Sequence, residues 1–193
     1  MSMFDRVDVT TWLDSVWATG TNGPFAVIDV ETTGLSARND RVIELAIVRC
    51  DPDGAVVDEW SSLFDPDRDP GPTHIHGITA DDLIGAPTFA SVVDEVLGRL
   101  DGHIVVAHNL SFDSGFLDAE FTRAGADPAP VAGLCTLELA RTVLPDLRRH
   151  NLAECAAHLG IDHPDAHRAL PDTRVTATVL RELLALAPQR RLF

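Results

Sequence analysis

Phe25-Ala26-Val27-Ile28-Asp29-Val30-Glu31-Thr32-Thr33-Gly34 is the stretch from which the architecture can be read. Residues 25–30 form a short apolar run, the mark of a strand buried inside a sheet. Asp29 and Glu31 stand two positions apart, so strand periodicity sets both carboxylates on one face, roughly 7 Å apart along it. Two acids in so apolar a strand cost several kcal/mol unless positive charge compensates them, and hydrated divalent cations are the usual source. Thr32-Thr33-Gly34 then turns the chain away, as expected of a strand that ends at a site. Taken alone, the pair fits equally an edge strand whose acids face water.

Downstream, residues 42–50 and 55–64 read as two more strands, joined by the strong turn signal Asp51-Pro52-Asp53-Gly54. Together with the first strand they predict an antiparallel meander. Helical spacing follows over 88–100 and stops at Gly102. Then come a strand over 103–108, a helix over 112–124, a strand over 131–134, and helices over 136–144, 152–159 and 172–186. Upstream, residues 1–22 read as a leader with a short helix over 10–18, ended by the breaker run Gly20 to Pro24. Residues 188–193 read as a tail. The expectation is an α/β domain over 23–187 with a mixed sheet of five strands flanked by helices.

The composition of the 193-residue chain narrows the function. Apolar residues are 45% and charged residues 23%, enough for a core and against wholesale disorder. No run approaches the roughly 18–20 apolar residues that cross a bilayer, and residues 1–6 lack the basic-then-apolar pattern of a signal peptide. A cytoplasmic protein with no membrane partner is expected. A formal charge of −15 excludes a protein that grips nucleic acid through a broad basic surface. It leaves room for an enzyme that meets nucleic acid through bound cations and a few arginines. All 15 cations are Arg, for which codon composition is the simplest cause. Cys50, Cys135 and Cys155 are too widely spaced for a zinc site and read as buried structural thiols. Asp65, Asp67 and Asp69 alternate as in a calcium loop, but Pro66, Pro70 and the missing glycine argue against one.

Two further segments carry acids where loops give way to helices. In His108-Asn109-Leu110-Ser111-Phe112-Asp113, the acid follows a strand and opens a helix. In His167-Arg168-Ala169-Leu170-Pro171-Asp172, Pro171 suits a helix start, leaving His167 on the preceding loop and Asp172 in the first turn. Separately, each has an ordinary reading: Asp113 and Asp172 as helix-capping acids, His167 as an exposed surface residue.

In combination the segments are far more specific. Asp-x-Glu-Thr-Thr-Gly, then His-Asn-x-x-Phe-Asp, then His-x-x-x-x-Asp, with these intervening elements, resembles the DEDDh branch of the DnaQ-like 3′→5′ exonuclease superfamily. That superfamily includes the proofreading subunit of bacterial replicative polymerases. The resemblance spans residues 25 to about 186 and implies a ribonuclease H-like fold. It implies Asp29, Glu31, Asp113 and Asp172 as ligands of two divalent cations, Mg²⁺ or Mn²⁺, and His167 as the base that takes a proton from the attacking water. The implied reaction releases nucleoside 5′-monophosphates from single-stranded or frayed 3′ ends of DNA, in proofreading or in repair. RNA trimming at the same site is the alternative reading. A non-catalytic nucleic-acid-binding module is a third, and it predicts a lost ligand where none is lost. Two divalent ions balance four carboxylates, which reconciles such an enzyme with an acidic chain; weak backbone affinity then makes it distributive and salt-sensitive.

The resemblance adds candidate substrate contacts. Thr32, Thr33 and Leu35 follow the first motif, Asn109 lies in the second, and His76-Gly77-Ile78-Thr79 is similar to the family's HGIT segment. Arg168 and Arg174 are candidate phosphate contacts. Loop structure, capping or a solvated surface is the plain alternative for each. Finally, Gln189-Arg190-Arg191-Leu192-Phe193 resembles the bacterial sliding-clamp-binding motif, with Leu192 and Phe193 as apolar anchors and Gln189 at the rim of the pocket. Packing of this tail on its own domain is the alternative. The partners implied are a sliding clamp and a DNA polymerase subunit.

Overall fold

In the computed structural model, which describes residues 2–9, 11, 23–163 and 167–187, the apolar runs become strands of a single sheet. In chain order the elements are β1 (Phe4–Arg6), β2 (Phe25–Thr32), β3 (Val42–Cys50), β4 (Val56–Leu63), α1 (Thr73–His76), α2 (Val93–Leu100), β5 (Ile104–Ala107), α3 (Leu110–Arg123), β6 (Val131–Cys135), α4 (Thr136–Val143), α5 (Leu152–His158) and α6 (Ala169–Leu186). Single 3₁₀ turns at Asp81–Leu83 and Phe89–Val92 complete the set. The sheet runs β1-β6-β5-β2-β3-β4. The meander β2-β3-β4 is antiparallel, whereas β5, β6 and β1 run parallel to β2.

The sheet has six strands and not five, because the leader supplies β1. Its main chain pairs with β6, the Val131 N–H donating to the Met3 carbonyl (2.9 Å) and the Val7 N–H to the Gly133 carbonyl (3.0 Å). Three residues with one buried side chain, Phe4, give no periodic signal to read. The expected leader helix over 10–18 lies largely outside the described residues, and the tail over 188–193 lies wholly outside them.

Strand alternation sorts the core into two layers. Phe25, Val27, Val48 and Cys50 face α4, α5 and α6. Ala26, Ile28, Val30, Leu45 and Ile47 face α2 and α3. All three cysteines are buried and free, as expected; burial pushes the Cys50 thiol up to about 11, far from a reactive range. A bulge interrupts the β2–β3 ladder: Glu31 pairs with Glu44 but Thr32 with Val42, leaving Ile43 unpaired. Ile43 packs with Ile78 and Leu83, which seats the segment after α1 beside the end of β2. Gly71 (φ 86°) packs so closely on Thr33 that a Cβ there would lie 2.2 Å from the Thr33 carbonyl oxygen. The loop over 65–72 is thereby held against the same turn.

Candidate active site

Asp29 and Glu31 project from β2 toward the α6 face, on the side expected from their spacing. The helices α3 and α6 pack on opposite faces of the sheet, yet their first turns meet at the end of β2. Asp113 is the fourth residue of α3 and Asp172 the fourth of α6. Carboxylate oxygens of Asp29, Glu31 and Asp172 lie within 4.8 Å of one another. Asp113 is buried and adjoins them, its charge acting strongly on Asp29. Both helices present N-terminal dipole ends here, which offset part of the charge. Pro171 stands inside the first turn of α6, which starts at Ala169, earlier than its sequence predicts.

The electrostatics are those of crowded acids, Asp29 and Glu31 half-buried and Asp113 buried. Burial drives the Asp29 pKa well above its ordinary range, with Asp113, Glu31, Asp172 and Glu44 adding to the rise. Glu31 is pushed up to about 7, first by burial and then by Asp172 and Glu44, against the opposing pull of Arg168. Asp113 rises to about 8 through burial, although the main-chain N–H groups of Asp113 and Val30 favour its ionised form. Each helix acid also accepts main-chain N–H groups at its helix start, Asp113 from its own residue and Asp172 from His167 (3.1 Å), while the N-cap residues Asn109 and Arg168 make no side-chain cap bond. An all-oxygen set of carboxylates whose ionisation the protein resists is the donor set of a hard divalent cation, so these residues fit such an ion.

His167 lies on the loop before α6, as expected. Its backbone is left-handed (φ 71°), it is exposed, and its N–H donates to Asp172 Oδ2 (3.1 Å). Its ring has no hydrogen-bond partner among the described residues. A second histidine was not legible in the sequence: His163 Nε2 lies 2.5 Å from Asp172 Oδ1.

Glu44 was missed too. It is buried on β3, directly opposite Glu31 and on the same face. Its carboxylate accepts from Arg168 Nε (3.1 Å) and Nη2 (2.9 Å) and from the Ala169 N–H (3.0 Å). This bidentate clamp fixes the start of α6 to the sheet. A single acid in a strand that also carries Arg49 gives no motif to read, so the sequence did not single it out. Arg168 is thereby a partner of Glu44, and Arg174 of Glu59 (2.5 Å), so both expected phosphate contacts are occupied within the chain.

The remaining candidates divide. Thr32 and Thr33 are buried and hold the turn: the Thr32 hydroxyl donates to the Gly34 carbonyl (2.6 Å), and Thr33 Oγ1 accepts from the Arg41 N–H (3.0 Å). Arg41 in turn donates to buried Glu120 on α3, locking that loop down. Leu35, by contrast, is 88% exposed at the loop tip. His76 is buried, its Nδ1 accepting from the Ile78 N–H (3.0 Å), while buried Nε2 faces the Pro70 carbonyl without making a hydrogen bond of full geometry. Burial lowers its pKa, so the ring is neutral with its proton on that Nε2. Asn109 is exposed in a left-handed conformation (φ 77°) at the start of α3 and does not cap the helix.

Comparison with known proteins decides the family. The profile described as "RNase_T: Exonuclease" matches residues 26–180, a span that holds all four clustered acids and His167. The chain belongs to the DnaQ-like 3′→5′ exonuclease superfamily. It is 42% identical over 162 residues to "DNA polymerase III PolC-type" of Oceanobacillus iheyensis and 36% identical over 162 residues to that of Staphylococcus aureus, covering 83% of this chain in each case. The chain spans 11% of the length of these relatives. Among solved structures it is similar to "Exonuclease X in complex with 5' overhanging duplex DNA" (TM-score 0.66, 29% identity, 83% of this chain and 91% of that one). It also shares its fold with E. coli Exonuclease I in complex with a dT13 oligonucleotide (TM-score 0.78, 21% identity, 88% of this chain and 42% of that one). No helix among the described residues is long and apolar enough to cross a membrane.

Proposed function

We propose that this exonuclease domain, residues 23–187, removes nucleoside 5′-monophosphates one at a time from single-stranded or frayed 3′ ends of DNA. Asp29, Glu31, Asp113 and Asp172 would hold two divalent cations, Mg²⁺ or Mn²⁺. The observation that carries this reading is the convergence of four carboxylates at the end of β2, where burial and mutual repulsion resist the ionisation of Asp29, Glu31 and Asp113. Bound there, the cations supply Lewis-acid stabilisation of the phosphoryl group and make water more acidic.

The chain's own side chains do the rest. His167, exposed and joined to Asp172 through its main-chain N–H, would take a proton from the attacking water on its ring. The water oxygen bonds to phosphorus as the bond from phosphorus to the 3′-oxygen of the penultimate nucleotide breaks, and that oxygen takes a proton from solvent to become the new 3′-hydroxyl. Leu35 offers an apolar face to the terminal base, Asn109 a polar group to sugar or phosphate, and His76 Nε2–H a donor. The main chain of the Thr32-Thr33 turn holds Leu35 in place. The left-handed backbone of His167 is strain of the kind stored at functional sites. His163 is the rival base, favoured by its 2.5 Å contact with Asp172; that contact also engages its ring, which leaves His167 the freer proton acceptor.

DNA as substrate is supported by the likeness to Exonuclease X, and a DNA polymerase context by the PolC-type relatives; proofreading in the cytoplasm is the role proposed there. The tail Gln189–Phe193 is proposed to reach a sliding clamp. Hydrolysis of 5′-labelled DNA and RNA of one sequence, with Mg²⁺, with Mn²⁺ and with chelator, tests the reading. Shortening of DNA from its 3′ end, faster than RNA and abolished by chelator, is expected. Preference for RNA overturns the substrate, and undiminished cleavage in chelator overturns the chemistry.

A further inference from the structure

Among the described residues, arginines without an ion pair gather at one place on the acidic surface. Arg6, Arg41, Arg49, Arg68, Arg99, Arg123, Arg168, Arg174 and Arg181 are all in ion pairs with carboxylates. Among the described residues, Arg38, Arg141, Arg148 and Arg149 make none. Three of these four, Arg141, Arg148 and Arg149, line one open cavity of about 610 Å³ together with Asn109 and Asn151, and no carboxylate lines it. In a chain of net charge −15, unpaired guanidinium groups gathered in one concavity make it a site for anions.

The cavity is also built, and it opens on the working edge of the sheet. Its walls are tied together by His108, whose Nε2 lies 2.8 Å from the His150 carbonyl and whose Nδ1 lies 3.0 Å from Thr136 Oγ1. Burial lowers the His108 pKa, which keeps the ring neutral with Nε2–H donating to that carbonyl. One residue thus joins the end of β5, the start of α4 and the loop before α5. The strands β2, β5 and β6 are parallel neighbours, with Val27 beside Val106 and Val106 beside Leu134. Their carboxyl ends therefore lie side by side, the edge where ligands bind in parallel α/β sheets. Asp29 lies on β2 just past the level at which β5 ends, and the cavity lies beyond the ends of β5 and β6, roughly 10 Å across by two strand spacings. Asn109 belongs to its lining and opens the helix that carries Asp113.

We infer that this arginine cluster binds successive backbone phosphates of the substrate strand, upstream of the 3′-terminal nucleotide. The inference rests on the hydrolase reading above and extends it: the clustered acids handle the scissile phosphate, and Arg141, Arg148 and Arg149 hold the strand that leads to it. Planar guanidinium groups suit the bidentate recognition of phosphate oxygens. Such contacts carry no base information, so they serve a nuclease that must act on any sequence.

The test compares two substrates in wild type and in Arg141→Ala/Arg148→Ala/Arg149→Ala. The p-nitrophenyl ester of thymidine 5′-phosphate engages the acids alone, whereas a single-stranded DNA 20-mer also reaches the cluster. The variant is expected to hydrolyse the ester at the wild-type rate and to show a raised KM on the 20-mer. Each lost phosphate contact flattens the slope of log(kcat/KM) against log[salt] by about 0.7, so three should flatten it by about 2 and raise KM on the order of 100-fold in 0.1 M salt. The triple Arg→Lys variant should keep most of the wild-type slope, and Arg181→Ala, which removes a charge from an exposed ion pair elsewhere, should leave it unchanged. An unaltered slope and KM in a folded triple-Ala variant overturns the inference while the hydrolase reading stands. Absence of ester hydrolysis by wild type overturns that reading and this inference with it.

Discussion

Replacing Glu31 by Gln should stabilise the metal-free protein at pH 8 and change it little at pH 4.5. In the folded chain burial, Asp172 and Glu44 lift the Glu31 pKa to about 7, from an ordinary value of 4.5. Between those two pH values the folded protein still holds a proton that the unfolded chain has released. The contribution of Glu31 to stability therefore falls as pH rises from about 4.5 to 7 and is flat above. A shift of roughly 2.5 units at 1.36 kcal/mol each makes this penalty about 3 kcal/mol. Glutamine keeps the shape of the protonated acid and cannot ionise, so the penalty disappears. For a chain of this length the gain corresponds to a rise in Tm of about 6–12 °C at pH 8. Thermal unfolding of both proteins in chelator, from pH 4.5 to 8.5, measures it. A difference that does not grow with pH, or a Gln variant less stable at pH 8, refutes the reasoning. Excess Mg²⁺ should reverse the order, because wild type gains the binding free energy that the variant forfeits.

His167→Ala should lower the hydrolysis rate by about 10²–10⁴ and flatten the acid limb of the pH–rate profile, whereas His163→Ala should leave that limb in place; the opposite pattern would move the base to His163. Arg168→Ala should be the more destabilising half of its ion pair, costing about 3–5 kcal/mol in denaturant unfolding because Glu44 is left charged and buried. Glu44→Gln should cost less, since the guanidinium it releases is half exposed; equal costs would mean that the pair holds no buried charge. The full chain should bind the cognate sliding clamp and a chain ending at Pro188 should not, with equal binding by both removing the tail from that role.

How far the sequence carries depends on the range of the interaction. The strands and helices that position the site were legible because each is written locally, as in the apolar run of β2 or the spacing of Phe116, Leu117 and Phe121 on α3. The cluster itself was legible because its acids sit in short motifs at strand and helix ends. Glu44 was not, because what distinguishes it is a partner 124 residues away, and a lone acid in a strand has no period to betray it. The same holds for Arg174, whose exposed position in a helix says nothing of Glu59 across the fold. β1 escaped because three residues with one buried side chain carry no pattern, its pairing being decided by the main chain. His163 was hidden because a lone histidine nine residues before Asp172 matches no spacing that would mark it.

The count of Mn²⁺ ions bound per chain tests the central claim most directly. Titration calorimetry with wild type and with Asp29→Asn, both shown to be folded by circular dichroism, gives that count at neutral pH. Two ions for wild type and at most one for the variant, with hydrolysis of DNA lost in parallel, is the predicted result. No binding by wild type, or the same count and activity after Asp29 is neutralised, would contradict a site in which these four carboxylates hold the cations.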